Sequence, residues 1–170
     1  MTFRAAAIAA LVLATTAAAA SMNLHSADFP DGGRIAQAQM AGDCGGRNRP
    51  PQLAWSGVPG GVKSFALVVH DPDAPIAGGF YHWIVYDISP VTRQLGALPA
   101  RAEVGLASTG RAAYYGPCPP PGPAHHYVFT LYALDVASIG GPPLTGPQLE
   151  AKVRSHVLAR AVLEATAARP

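Results

Sequence analysis

Apolar residues fill both faces of a period-two pattern in Phe65-Ala66-Leu67-Val68-Val69-His70. The run therefore predicts a strand buried on both sides, in the middle of a sheet. A second run, Tyr81-His82-Trp83-Ile84-Val85-Tyr86, predicts another strand, with His82, Ile84 and Tyr86 on one face and Tyr81, Trp83 and Val85 on the other. Between them stands Asp71-Pro72-Asp73-Ala74-Pro75, followed by a bend at Gly78-Gly79. Pro72 and Pro75 lack backbone donors and fix φ, so pairing stops here and the two aspartates are held in one stiff geometry. Tyr127 to Leu134 alternates strongly and predicts a third long strand, which begins beside His125-His126. Shorter strands are expected at Gln52 to Trp55 and at the weakly patterned Arg34 to Gln37, with Trp55 in the core. From Gln148 to about Thr166, Leu149, Val153, Val157, Ala161 and Val162 recur at helical spacing after Thr145 and Pro147, which predicts a C-terminal helix packed on the sheet.

Composition supports a β protein. With 18 Gly, 17 Pro and only 13% charged residues, the chain has the turn density of a loop-rich sheet protein rather than a helical bundle. Pro90 to Arg111 reads as a long surface excursion, and Tyr114 to Ala124, with Pro117, Pro119, Pro120, Pro121 and Pro123, as a rigid loop. Residues 1–20 combine Arg4, an apolar stretch and Ala18-Ala19-Ala20, the pattern of a secretory signal peptide. Residues 21–170, about 150 of them, then form a single domain that is exported, periplasmic or secreted, with no transmembrane anchor after cleavage. Scattered lysines and arginines give no support to nucleic-acid binding. Cys44 and Cys118 are the two cysteines, and in an exported protein they can form one disulfide; the alternative is two small buried thiols.

The candidate chemistry lies where strands meet loops. Asp71 and Asp73 in their rigid turn, with His82 and His125 at two strand starts, could converge on one polar pocket walled by aromatics such as Trp83, Tyr86, Tyr114, Tyr115 and Tyr127. In such a pocket the histidines and loop N–H groups would donate to an anion, while an aspartate fixes a histidine tautomer. The bland alternative is that the aspartates cap a turn and the histidines are satisfied structural residues. His82, His125 and Asp71 or Asp73 have the ligand types of a two-histidine, one-carboxylate metal site, but no His-x-His or HExxH spacing supports it, so no metal or other cofactor is expected. No G-x-S-x-G elbow is present to support covalent hydrolysis.

Several of these segments together carry a resemblance: Ser26-Ala27-Asp28-Phe29-x-Asp31-Gly32-Gly33, Asn48-x-x-Pro51-x-Leu53-x-Trp55, Asp71-Pro72-Asp73-Ala74-Pro75, His82-Trp83, Gly116-Pro117-Cys118-Pro119-Pro120 and His125-x-Tyr127-x-Phe129. In these the chain resembles the phosphatidylethanolamine-binding protein (PEBP) family, in its bacterial Raf-kinase-inhibitor-like branch. The resemblance implies a mainly β fold, an antiparallel β-sandwich with peripheral helices and a C-terminal helix. It also implies a small pocket for phosphate-like anions or phospholipid headgroups, built by Asp71, Asp73, His82, Gly116, Pro117, His125 and Tyr127. Two departures stand out. His126 occupies the place of an arginine common in the family, and the chain ends without the branch's usual Gly-x-Tyr. The expected function is a non-enzymatic exported binding protein; the alternative is an interaction module that inhibits a hydrolase or signalling partner through the pocket-rim loops. A homodimer is compatible with either.

Overall fold

The computed structural model describes residues 21–96, 98 and 101–169. The expected signal peptide lies outside the described residues. Two sheets form the body. The smaller is ordered β1 (Asn23–Ser26), β3 (Leu53–Ser56), β6 (Gln94–Leu95). The larger is ordered β2 (Gly33–Arg34), β9 (Val157–Ala167), β8 (His125–Leu134), β4 (Ser64–Asp71), β5 (Phe80–Ile88), β7 (Glu103–Val104), and all its pairings are antiparallel except β2 with β9. Short 3-10 turns at Gln37–Gln39 and Gly42–Cys44 and one helix, α1 (Gly146–Val153), lie around the sheets.

β4 is buried on both faces, as its double-sided apolar pattern predicts. Phe65, Leu67 and Val69 face the core between the sheets, with Leu24, Leu53, Trp55 and Leu95 opposite. Ala66 and Val68 join Ile84 and Tyr86 on the other face, beneath Leu144, Leu149 and Val153 of the α1 region. Burying these side chains contributes about 1.5–3 kcal/mol each, enough to fix which face of β4 looks which way.

The C-terminal segment differs from its expected form. A helix does start after Thr145, whose N–H donates to Gln148 Oε1 at 2.9 Å, but it stops at Val153. Residues Val157–Ala167 are a strand, paired with β8 along its whole length. The i, i+4 spacing of Val153, Val157 and Ala161 suggested a helix, yet four is also an even number and places residues on one face of a strand. His156 therefore sits in the connecting turn, with its Nδ1 2.9 Å from Asp135 Oδ1.

A second difference bears on the site. Val69 pairs with Trp83 and His70 with Tyr81, which leaves His82 as the extra residue of a β-bulge. Plain alternation would put His82 with Ile84 and Tyr86. The bulge instead turns its ring onto Tyr127, at 5.1 Å between ring centroids, while Tyr81 stacks on His70 at 4.3 Å.

Candidate functional site

Because β4, β5 and β8 run antiparallel, the end of the first and the starts of the other two come together at one end of the sandwich. Asp71, His82, His125 and Tyr127 meet there and line a cavity of about 140 Å³. Ala74, Pro75 and Ile76 from the acidic turn, Phe80, and the loop residues Tyr115, Cys118, Pro119 and Pro120 complete its wall. The volume is below the roughly 300–1,000 Å³ of sites for drug-sized molecules, so it suits a headgroup-sized ligand.

The polar atoms are fixed by local hydrogen bonding. Asp71, 2% exposed, accepts from His125 Nδ1 at 2.8 Å through Oδ2 and from the Asp73 N–H at 2.9 Å through Oδ1. This holds His125 with its Nδ1 bound to the carboxylate and its Nε2 free to face a ligand. His82 Nδ1 lies 2.7 Å from the Tyr115 carbonyl oxygen. A carbonyl oxygen has no hydrogen to give, so Nδ1 is the donor and, in the neutral ring, Nε2 carries only a lone pair. His82 was expected to donate to an anion; in this geometry the neutral ring offers an acceptor. His82 Nε2 is buried without a hydrogen-bond partner among the described residues, and the buried Tyr127 hydroxyl has no partner there beyond Asp71. Orphaned polar atoms of this kind are rare in a core and call for a partner.

Burial pushes the His82 pKa down to about 4, against the opposing pull of the Tyr115 carbonyl and the Asp71 charge. Burial, and then the negative charge of Asp71, raises the Tyr127 phenol. Both side chains are thus neutral at pH 7. A histidine whose pKa is depressed in the folded state destabilises that state once the unfolded chain takes up a proton. Acidification from the ordinary histidine value of 6.5 towards 4 should therefore reduce stability through His82, by at most about 1.4 kcal/mol per pH unit. Urea unfolding at several pH values, compared with His82→Gln, checks this: the variant should show a flatter profile across that window, and equal slopes would refute the assignment.

Not all the expected residues face the cavity. Asp73 Oδ2 accepts from the His126 N–H at 2.8 Å and lies 2.7 Å from His126 Nδ1, on the exposed side of the turn. The backbone N–H and then the ring of His126 lower the Asp73 pKa. His126 is occupied by this pair and does not line the cavity. Gly116 and Pro117 stand behind Tyr115. Gly116 N–H donates to Asn48 Oδ1 at 2.7 Å and the Pro117 carbonyl accepts from Ala41 N–H at 3.0 Å. A Cβ at Gly116 would overlap the Gln39 carbonyl, so glycine is required for the loop to lie this close. Of the aromatics proposed as walls, Tyr115 and Tyr127 line the cavity, while Trp83, Tyr86 and Tyr114 are buried in the cores or beside them. Sequence reasoning missed Phe80 and Ile76, whereas Pro119 and Pro120 belong to a loop it expected at the rim. Cys44 and Cys118 are joined in a disulfide, with Cα atoms 5.5 Å apart, which ties the wall loop to the Gly42–Cys44 turn.

Comparisons with known proteins identify the family of the chain. The family profile described as "PBP: Phosphatidylethanolamine-binding protein" matches residues 25–168. The UPF0098 protein of Aquifex aeolicus is 41% identical over 154 residues, covering 86% of this chain and 88% of that protein. LppC of Mycobacterium tuberculosis, provisionally named a lipoprotein, is 43% identical over 145 residues, covering 82% and 70%. Among solved structures, that of Escherichia coli YbcL, described as a member of the mammalian PEBP family, matches with a TM-score of 0.83 and 32% identity, over 88% of this chain and 99% of YbcL. Profile, relatives and two-sheet architecture converge, and the chain belongs to the phosphatidylethanolamine-binding protein family.

Proposed function

We propose that this protein is an exported, non-enzymatic binding protein whose pocket holds a phosphate-like anion or a phospholipid headgroup. The observation that carries the reading is the meeting of His82, His125, Asp71 and Tyr127 in one small cavity, with a buried ring nitrogen, His82 Nε2, that has no partner among the described residues. A bound oxyanion would accept from the Tyr127 hydroxyl, while Asp71 orients the His125 imidazole at the cavity wall. The apolar rim of Pro75, Ile76, Phe80, Pro119 and Pro120 suits the methylenes next to a headgroup. Export is supported by the N-terminal sequence pattern, by the disulfide, which persists in oxidising compartments, and by the name of the mycobacterial relative.

Calorimetric titration with phosphate and phosphoethanolamine tests the reading. Saturable one-site binding is expected, weakened about tenfold or more in Tyr127→Phe, which removes the hydroxyl that donates to the anion, since a hydrogen bond involving a charged group is worth about 1.5–3 kcal/mol. Absence of binding to the wild type would move attention to protein partners at the rim.

A further inference from the structure

A second concavity lies apart from the anion pocket and shares no lining residue with it. β2 and β9 run parallel, with Arg34 opposite Thr166, so the chain beyond each strand continues in the same direction. Between residues 34–37 on one side and Ala168 and Arg169 on the other lies a groove of about 580 Å³. The disulfide stands between the two concavities, Cys118 lining the pocket and Cys44 the groove. Among the described residues that line the groove there are two permanent cations, Arg34 and Arg169, and no carboxylate. Arg169 is half-buried, yet its guanidinium meets no oxygen among the described residues: Nε is buried without an acceptor, and Nη1 reaches only Cys44 Sγ, at 3.7 Å. Sulfur is a weak acceptor, so a half-buried charge here lacks a strong partner. Arg34 has no ion pair among the described residues either. Asp43, beside Cys44 in the chain, instead accepts from the Tyr115 hydroxyl at 3.5 Å. Gln37 donates from Nε2 to the Gly45 carbonyl at 3.0 Å, which leaves its Oε1 as an open acceptor on the groove wall.

We propose that this groove binds the C-terminal end of a peptide whose last residue is apolar. The terminal carboxylate pairs with Arg34 and Arg169, whose planar forks match its two oxygens. The N–H of the same residue donates to Gln37 Oε1, and its side chain lies on Ile35, Met40 and Ala168. Each simpler ligand leaves part of the groove unused. An inorganic anion ignores the apolar floor and the Gln37 acceptor; a fatty carboxylate ignores the acceptor. The volume also lies within the roughly 300–1,000 Å³ of sites that take whole small molecules rather than single ions. The inference stands independently of the anion-pocket reading.

The experiment titrates the full protein with N-acetylleucine at neutral pH and follows the backbone amides by NMR. This probe carries the carboxylate, the N–H and an apolar side chain. Saturable shifts are expected at Ile35, Ala36, Gln37, Cys44 and Ala168, with Phe80 and His82 of the anion pocket unmoved. N-acetylleucinamide, which lacks only the charge, should bind about tenfold or more weakly, because the charge-assisted bonds to arginine are lost. N-acetyl-N-methylleucine, which lacks the N–H, should lose about fivefold. Arg34→Gln and Arg169→Gln should each weaken N-acetylleucine about tenfold. Tyr127→Phe, in the other concavity, should leave its binding unchanged. The ligand series reads the same contacts without altering the protein, so the test does not depend on how the variants fold. Equal affinity for the acid and its amide, acetate binding as tightly as N-acetylleucine, shifts centred on Phe80 and His82, or no saturation at all overturns this inference and leaves the anion-pocket reading standing.

Discussion

Replacing His125 by alanine is expected to lower stability by about 4 kcal/mol, because it strands a carboxylate inside the protein. Asp71 is 2% exposed and loses the imidazole 2.8 Å from Oδ2, keeping the Asp73 N–H and the neighbouring Tyr127 hydroxyl. Much of the penalty therefore belongs to the residue left behind, and a second change should recover part of it. The double variant His125→Ala with Asp71→Asn replaces the stranded charge by a neutral amide of the same shape, so it should be more stable than His125→Ala alone. Urea unfolding of the four proteins in this cycle measures the coupling. A His125→Ala protein within about 0.5 kcal/mol of the wild type would show that water reaches Asp71 and that the pair is not structural.

Removal of the disulfide should have an effect of similar size. Cys44 and Cys118 are 74 positions apart, and closing a loop of that length restricts the unfolded chain by about 4 kcal/mol. Cys44→Ser with Cys118→Ser should lose this amount in urea unfolding, and wild-type protein in dithiothreitol should follow it. The loss should also be visible locally, since Cys118 and its neighbours Pro119 and Pro120 are pocket wall. Amides of residues 115–124 should exchange faster in the variant than those of β4. Unchanged stability on reduction would mean that the Gly116 hydrogen bond to Asn48 and the Pro117 contact with Ala41 suffice to hold the loop.

Where side chains carry enough bulk or charge to dictate their surroundings, the fold could be read ahead of the coordinates. β4 declared itself because five successive residues, Phe65 to Val69, are apolar enough to demand burial. Asp71, His82, His125 and Tyr127 could be named because a proline-stiffened turn and two strand starts leave polar groups few places to go. β9 was hidden for the opposite reason. Its core-facing positions include Ala159, Ala161, Ala165 and Ala167, small because Tyr127 and Leu131 stand opposite Ala165 and Ala161. Alanine has the highest helix propensity of all, so a strand made thin by its bulky neighbour looks helical in isolation. The bulge at His82 was equally invisible, because one unpaired residue leaves no mark on composition or period. Phe80 lines the cavity from the start of β5 and Ile76 from the turn before it.

The position of β9 in the larger sheet has a consequence for how the molecule is made. It lies between β2, from near the described N-terminal end, and β8, and is itself the last of the described strands. During synthesis every other strand emerges first, and the ten-residue β8 keeps one edge bare until Val157–Ala167 follow. A sheet so interrupted resists closure and leaves a pairing edge open. A chain lacking Val157–Ala167 would thus present β8 as a ten-residue edge able to pair with the same edge of another copy.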